Sequence, residues 1–248
     1  MEGALTFAPV GNIMRAEVLA EIDYPSSDGK PMAETPLHMA VMWTIIQTLI
    51  EWFDADPNVY VWGNMFLYYV EGDITKNVSP DVMIVKGVDK HKDRDVFKTW
   101  EEKKSPQCII EVTSGKTKKE DQTTKFERYR DQLKVSEYFM FDPRADYIKP
   151  KLRGFRLRSG DYVPIKEVDG RLPSKVLGLH LEADGTDLRF WNPETEAWLL
   201  TPAELQEQIE ARADRAVAQR AKDQSEIERL QRELEIIKQQ LVAERGRK

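Results

Sequence analysis

Gln107-Cys108-Ile109-Ile110-Glu111-Val112-Thr113-Ser114 is an apolar, strand-like run with one acid at its centre. Upstream, the run Ser79-Pro80-Asp81-Val82-Met83-Ile84-Val85 carries a second acid in the same kind of setting. A carboxylate inside an apolar strand is costly to bury unless it is paired or holds a cation. The two runs therefore predict strands of one sheet that bring two acids to a shared partner.

A lysine follows the two acids at a distance that suits a common site. Lys125 lies on a helix-like stretch directly after the Glu111 run. Two carboxylates and a lysine are the groups that metal-dependent phosphodiester hydrolysis needs, because acids hold the divalent ion and a nearby cation positions water or stabilises charge. These residue types thus favour a hydrolytic metal site built from Asp81, Glu111 and Lys125.

Each of these residues also has a simpler interpretation. Ser-Pro-Asp is ordinary turn sequence, which would make Asp81 a turn residue. Glu111 could serve only in a structural ion pair with a lysine or arginine. Lys125 shares a helix face with Asp121 and Tyr129 and could form a surface pair with the former while the latter packs in the core. The sequence alone leaves these alternatives open.

The first half of the chain predicts a helix followed by strands. Thr35-Pro36 is typical of an N-cap with proline at the first helical position, and the apolar period continues to about Phe53. Strands are expected over residues 59–62 and 65–70. Gly63-Asn64 between them is a two-residue hairpin signal. We therefore expect these two strands to pair with each other.

A crossover unit is expected around the second acid. Thr117-Lys118-Lys119-Glu120 matches a capping box, and the helix it would start has Phe126, Tyr129 and Leu133 as its core stripe. Glu137–Phe141 is another apolar strand, and further short strands are expected over residues 150–200. A helix between two apolar strands favours a β-α-β unit, so the fold class is α/β with a mixed sheet flanked by helices.

The C-terminal segment has a different composition from the rest. Residues 202–248 carry dense, balanced charge and predict one long helix, which sets the expected domain boundary after residue 201. Apolar heptad positions occur only in its last part and predict a short coiled coil that joins a homodimer. The alternative is a lone charged helix that packs back on the domain. The heptad positions are Ile227, Leu230, Leu234, Ile237 and Leu241.

Composition narrows the class of protein. The net charge of −6 disfavours an indiscriminate nucleic-acid binder, although residues 86–104 and 114–134 are locally basic and could contact phosphates. The single cysteine excludes an internal disulfide framework. No signal-peptide pattern and no apolar stretch long enough for a membrane span occur, so the expected location is the cytoplasm.

Taken together, the motifs resemble the PD-(D/E)XK nuclease signature and, more closely, the Uma-two family of restriction endonucleases. The resemblance covers roughly residues 20–170, the core of a nuclease-like domain over 1–201. It implies a restriction-endonuclease-like fold. The residues that carry it are Asp28-Gly29-Lys30-Pro31-Met32-Ala33-Glu34-Thr35, Gly63-Asn64, Ser79-Pro80-Asp81-Val82, Glu111-Val112-Thr113-Ser114 and Glu137-Tyr138-Phe139-Met140-Phe141-Asp142-Pro143.

The resemblance implies a role for each candidate residue. Asp81 and Glu111 match the family's two acids and would bind Mg²⁺, or Mn²⁺ in its place, with the backbone carbonyl of Val112 as a third oxygen ligand. Thr113 stands where the superfamily usually has its catalytic lysine. The resemblance implies that Lys125 on the next helix takes over this role.

A further acid is expected from the first helix or its approach. Glu34 is preferred and Glu51 is the other candidate. The implied function is a Mg²⁺-dependent endonuclease that hydrolyses phosphodiester bonds, with DNA as the expected substrate and RNA left open. The alternatives are a catalytically inactive nuclease-fold protein that binds nucleic acid, and a coiled-coil scaffold.

Overall fold

The computed structural model describes residues 22–27, 29, 35–115 and 117–245. The first helix, α1, spans Pro36–Trp52, and its N-cap Thr35 accepts a hydrogen bond from the His38 backbone N–H through its side chain (3.2 Å). Proline occupies the first helical turn, where a missing N–H costs nothing. The predicted start, cap and length of this helix are confirmed.

Thirteen strands and four further α-helical segments follow within the described residues. The strands are β1 (Val59–Trp62), β2 (Leu67–Tyr68), β3 (Asn77–Val78), β4 (Val82–Lys86), β5 (Phe97–Lys98), β6 (Cys108–Val112), β7 (Glu137–Phe141), β8 (Leu152–Arg158), β9 (Asp161–Pro164), β10 (Leu172–Ser174), β11 (Leu179–Asp184), β12 (Asp187–Asn192) and β13 (Ala197–Trp198). The helices are α2 (Thr99–Glu102), α3 (Lys118–Gln122), α4 (Thr124–Glu127) and α5 (Pro202–Arg245), with a π-helical turn over Arg128–Gln132.

A six-stranded mixed sheet forms the centre of the molecule, in the order β1-β4-β6-β7-β8-β9. Strands β6 and β7 are parallel, and the helical segment 118–132 connects them, which confirms the predicted β-α-β crossover. The other neighbours in this sheet are antiparallel. The predicted α/β fold with a mixed sheet and flanking helices is therefore confirmed.

Two apolar clusters cover the two faces of this sheet. One combines α1 with alternate residues of β4 and β6 and with the small second sheet, β10-β11-β12-β13. The other contains Tyr129 and Tyr138 together with the intervening strand positions, such as Met83 and Ile109. Because side chains alternate along a strand, Glu111 lies on the same face as Ile109 and enters the tyrosine-rich side.

The predicted hairpin at Gly63-Asn64 is wrong. Strand β1 pairs with β4, whereas β2 pairs with β3 and β5 in a separate small sheet. The Asn64 N–H donates to the carbonyl of Pro80 (2.8 Å), and a side chain at Gly63 would overlap the Asp81 carbonyl oxygen. Glycine is needed here because two backbones approach closely beside Asp81, and not because the chain reverses in a two-residue turn.

The capping box at residues 117–120 is also wrong. The Thr117 hydroxyl contacts Ser114 instead of capping α3, and the helix is interrupted at Thr123, whose backbone is not helical (φ −127°, ψ −86°). The predicted single helix is thus α3, α4 and the π-helical turn in succession. Tyr129 and Leu133 of the predicted stripe are buried.

The C-terminal helix α5 is 44 residues long. Every described side chain from residue 206 to residue 239 is exposed, so the alternative in which this segment packs back on the domain does not hold for this range. The exposed apolar positions include Ile227, Leu230, Leu234 and Ile237. The side chain of Leu241 lies outside the described residues. None of the helices in the described ranges combines the length and apolarity that a bilayer crossing requires.

Candidate active site

Glu111 is the most deeply buried acid of the site and is held by three donors. It is fully inaccessible in the middle of the sheet. The Tyr129 hydroxyl donates to Oε1 (2.5 Å), and the Lys125 ammonium donates to Oε2 (2.9 Å). The Asp81 backbone N–H makes a longer contact with Oε2 (3.4 Å). Hydrogen bonds and an opposite charge therefore offset the cost of burying this carboxylate.

Asp81 precedes β4 and is hydrogen-bonded to the neighbouring strand β6. Its Oδ2 accepts the backbone N–H of Val112 (2.8 Å) and a hydrogen bond from His38 Nε2 (3.1 Å). Since the Asp81 backbone also contacts Glu111, the two acids support each other's positions across the β4–β6 pair. Both of these contacts use Oδ2, so neither of them occupies Oδ1 of Asp81.

Lys125 and Asp121 complete the charged cluster. Lys125 is 7% exposed, and its Nζ lies 3.5 Å from Asp121 Oδ1 in addition to its bond with Glu111. Asp121 is fully buried, and neither of its oxygens accepts a well-formed hydrogen bond from a residue that the structure describes. The interruption at Thr123 and the π-helical turn accompany the inward orientation of Lys125 and Tyr129. Both side chains reach the Glu111 carboxylate from one helical segment.

Burial and crowding of like charges govern the pKa values of the acids. Burial raises the pKa of Glu111 well above its ordinary value, and the positive charge of Lys125 only partly opposes this. Burial likewise raises the pKa of Asp121 to about 6. Burial acts in the same direction on Asp81, but the hydrogen bond from His38 and the charge of Lys125 prevail and place its pKa below the ordinary value.

The lysine responds in the opposite way. Burial by itself would lower the pKa of Lys125, but the charges of Glu111, Asp81 and Asp121 outweigh burial and raise it. Lys125 therefore keeps its proton at physiological pH. One ammonium faces three carboxylates, so the cluster holds an excess of acidic groups that must either bind protons or gain another cation.

The donor set suits a hard divalent cation that keeps part of its water shell. No three His, Cys, Asp or Glu side chains within the described ranges are arranged as a complete metal-binding group. The carboxylates of Asp81 and Glu111 offer the oxygen ligands that Mg²⁺ prefers, and the backbone of Val112 contacts Asp81 beside them. Asp121 shares the Lys125 ammonium with Glu111, and this sharing favours extra positive charge in the cluster.

A small cavity is lined by His38 and Val112, the two residues that hydrogen-bond to Asp81 Oδ2. It has a volume of about 50 Å³ and is lined by His38, Val112, Thr113, Ser114 and Arg144, among others. The Thr113 hydroxyl is buried and has no hydrogen-bond partner within the described part of the chain. A cavity of this size with polar walls holds about one water molecule. It is thus a place where a water molecule can lie beside the Asp81–Val112 contact.

The structure brings three of the predicted site residues together and leaves others outside. Asp81, Glu111 and Lys125 form one cluster. Glu34, the preferred further acid, lies outside the described residues. Glu51, the second candidate, is exposed at the end of α1, where no contact with the cluster occurs among the described residues.

Sequence reasoning missed the contact that the first helix does make. His38 lies in the first turn of α1, and its buried side chain reaches Asp81. The sequence does indicate that His38 is buried, because the spacing of the buried helix face includes His38, Val41, Met42 and Ile45. A polar residue in such a stripe needs a partner, and an acid is the natural one. Tyr129 was similarly expected to be a core residue, without its bond to Glu111.

We expect the replacement Asp121→Asn to stabilise the metal-free protein at neutral pH. An acid whose pKa is higher in the folded chain binds more protons when folded, so the free energy of unfolding decreases as the pH rises from about 4 to about 6. Removing the charge should raise the free energy of unfolding by about 2–3 kcal/mol at pH 7.5 and change it little at pH 4. Chemical denaturation in EDTA at both pH values measures the difference.

The control for this prediction is Asp161→Asn, which removes an exposed acid whose carboxylate contacts Arg130. That variant should show the same pH dependence as the wild type. The prediction would be contradicted if, relative to Asp121→Asn, the free energy of unfolding of the wild type did not decrease between pH 4 and pH 6. Burial would then not raise the pKa of Asp121.

A protein family and a solved structure are similar to this chain. A family model described as "Uma2: Putative restriction endonuclease" matches residues 17–184. Among solved structures, the chain is similar to a "putative nuclease belonging to DUF820" from Anabaena variabilis ATCC 29413, with 16% sequence identity and a TM-score of 0.44. That match covers 63% of this chain and 83% of the other. No curated protein matches the chain.

Proposed function

The chain belongs to the Uma2 family of restriction endonucleases, and on that premise we propose that it is a metal-dependent endonuclease that hydrolyses phosphodiester bonds in DNA. The observation that supports this proposal is the buried cluster in which Lys125 faces Glu111, Asp81 and Asp121. A purely structural ion pair would need one acid for one lysine. The additional acids are costly unless the site has a use for negative charge.

Asp81 and Glu111 would hold the metal, with the Val112 carbonyl as a third oxygen ligand. Mg²⁺ is the proposed ion and Mn²⁺ its substitute, since both accept carboxylate and carbonyl oxygens. When bound, such an ion supplies Lewis-acid stabilisation of the phosphate and lowers the pKa of water. His38 positions Asp81 through Oδ2, so Oδ1 can point toward the ion.

Lys125 would provide the positive charge that Thr113 cannot provide. The acids around it keep it protonated, so it can stabilise negative charge that develops on the phosphate. Asp121 holds the ammonium from one side, and Tyr129 holds the Glu111 carboxylate from the other. These two residues fix the geometry of the charged pair and do not themselves take part in the reaction.

We expect Mg²⁺ or Mn²⁺ to stabilise the folded protein without any substrate. A ligand that binds only the native state raises the melting temperature in proportion to the logarithm of its concentration. Asp81→Asn should lose most of this shift, because it removes an anionic oxygen ligand, whereas Asp161→Asn should retain it. Thermal melts over a Mg²⁺ titration measure the effect. Equal shifts in wild type and Asp81→Asn would count against the site.

We expect Lys125→Ala to reduce DNA cleavage by about 10²-fold or more, the scale of losing one charge-stabilising donor. Lys125→Arg should restore only part of the rate, because a planar guanidinium does not replace a compact ammonium. Single-turnover cleavage of a plasmid and of a labelled RNA in Mg²⁺ measures both the rate and the choice of substrate.

Lys134→Ala is the matched control for Lys125→Ala, since Lys134 is exposed near the end of the same helical segment. The stability of each variant should be recorded with and without Mg²⁺, because loss of the ammonium leaves three acids crowded together. Wild-type cleavage by a folded Lys125→Ala protein would remove this lysine from the mechanism.

A second proposal concerns assembly. We propose that α5 pairs two copies of the chain through its exposed apolar positions Ile227, Leu230, Leu234 and Ile237. Such a stripe is costly in water unless a partner helix covers it, and a dimer suits an enzyme that cuts both strands of DNA. In this proposal the chain consists of a nuclease-like domain over 1–201 and a helical extension over 202–248. The scaffold alternative rests on the same stripe.

We expect the full-length protein to be a dimer and a protein truncated after Thr201 to be a monomer. Light scattering coupled to size exclusion measures both masses. Leu230→Glu with Leu234→Glu should dissociate the dimer, because charge in the seam is strongly unfavourable, whereas Glu228→Gln outside the seam should not. A monomeric full-length protein would contradict the assembly proposal and leave the nuclease site unaffected.

A further inference from the structure

Two exposed tryptophans lie beside the proposed active site. Trp43 on α1 is 49% exposed and Trp62 at the end of β1 is 38% exposed, and they are the only exposed aromatic residues within the described ranges. Their rings meet edge to face, with centroids 6.0 Å apart and an interplanar angle of 84°. An edge-to-face pair leaves ring surface uncovered. Apolar aromatic surface of this kind usually has a partner.

The tryptophan pair is tied to the catalytic acid through the backbone. Trp62 is opposite Met83 in the β1–β4 pair, two residues beyond Asp81. The next residue, Gly63, packs against the Asp81 carbonyl so closely that it has no room for a side chain. A ligand that contacts the Trp62 ring would therefore be close to the strand end that carries Asp81.

A groove continues from Trp62 along the outer edge of the sheet. Its volume is about 620 Å³, within the range of ligand-binding clefts. Apolar side chains of α1 and β1 form its floor, and the loop after β4 forms its far wall. The loop contributes Lys90, Lys92 and Arg94, and the acids Asp54 and Asp93 also line the groove. The lining includes Ile50, Phe53, Tyr60, Trp62, Lys90 and Lys92.

Each cation of this wall is paired with an acid, and the three differ in their exposure to solvent. Lys90 binds Asp54, and Lys92 shares Glu102 with Arg94. The Lys92 side chain remains 48% exposed. Lys86, at the end of β4, lies over the Phe53 ring at 5.1 Å. An aromatic end next to the acids and an exposed lysine at the far end match the pattern by which proteins hold a single strand, with bases on aromatic rings and phosphates on cations.

We propose that Trp43 and Trp62 stack an unpaired base of the substrate strand, and that the groove guides this strand into the Asp81 site. This inference rests on the proposed function for the direction of the strand, and it adds a preference for DNA with an unpaired segment next to the cut. A continuous duplex offers no free base face to the indoles. The specificity-determining residues are then Trp43 and Trp62.

The test is binding in EDTA, where cleavage cannot interfere. The probes are a labelled oligothymidylate, an abasic strand of the same length and a blunt duplex. Trp62→Ala should weaken oligothymidylate binding about tenfold, the scale of losing one stacked base, while Trp62→Phe keeps most of the affinity. The abasic strand should bind wild type as weakly as oligothymidylate binds Trp62→Ala. Oligothymidylate should quench tryptophan fluorescence of the wild type more than that of Trp62→Phe.

Several results would overturn the proposal. The first is equal affinity of wild type and Trp62→Ala for oligothymidylate. The second is an affinity of wild type for the abasic strand that equals its affinity for oligothymidylate. The third is no binding of any probe. A dimer that Trp62→Ala converts to a monomer would show that a second copy covers the groove. Because Trp62 is not part of the charged cluster, these results are independent of the Lys125→Ala cleavage test: either proposal can fail while the other stands.

Discussion

The buried Glu111 carboxylate is the constraint on which the rest of the molecule depends. A carboxylate in the centre of a sheet must be given hydrogen bonds and positive charge, or the fold loses several kcal/mol. Lys125, Tyr129 and the Asp81 backbone provide them from three different elements. The crossover helix, the tyrosine-rich core and the β4–β6 pair are therefore fixed relative to one another by a single polar group.

Irregular backbone occurs where this constraint acts. The helical segment 118–132 is broken at Thr123 and ends in a π-helical turn, and both Lys125 and Tyr129 point inward from it. Gly63 allows the end of β1 to lie against the Asp81 carbonyl. Local sequence signals favoured a regular helix and a hairpin at these places. The tertiary contacts of the two acids outweighed those signals, as expected where function and folding compete.

The acids of the site differ in the direction of their pKa shifts. Asp81 is kept ionised by His38 and Lys125, whereas Glu111 and Asp121 are pushed toward the protonated form by burial. Groups with opposed pKa shifts a few ångströms apart are typical of functional sites. A cation that enters the cluster would allow the remaining acids to ionise. Binding of the proposed metal would thus be coupled to release of protons by the same contacts that stabilise the fold.

The sequence by itself determined the elements whose signals are local. The capped helix α1, the apolar strands, the β-α-β order and the long C-terminal helix follow from spacing and composition, because periodicity records which face of each element is buried. The cost of burying a charge likewise marked Glu111 as a residue in need of a partner.

Only the tertiary structure decided which groups meet. His38 reaches Asp81 across 43 residues of sequence, and Tyr129 reaches Glu111 through a break in its helix that no local pattern indicated. The pairing of β1 with β4, and with it the placement of Trp62 beside Asp81, was likewise hidden, since a Gly-Asn pair looks the same in a hairpin and at a close approach of backbones. Sequence shows that a buried polar group must be satisfied. The partner is chosen by packing over the whole chain, because contacts between distant residues depend on the positions of all the elements between them.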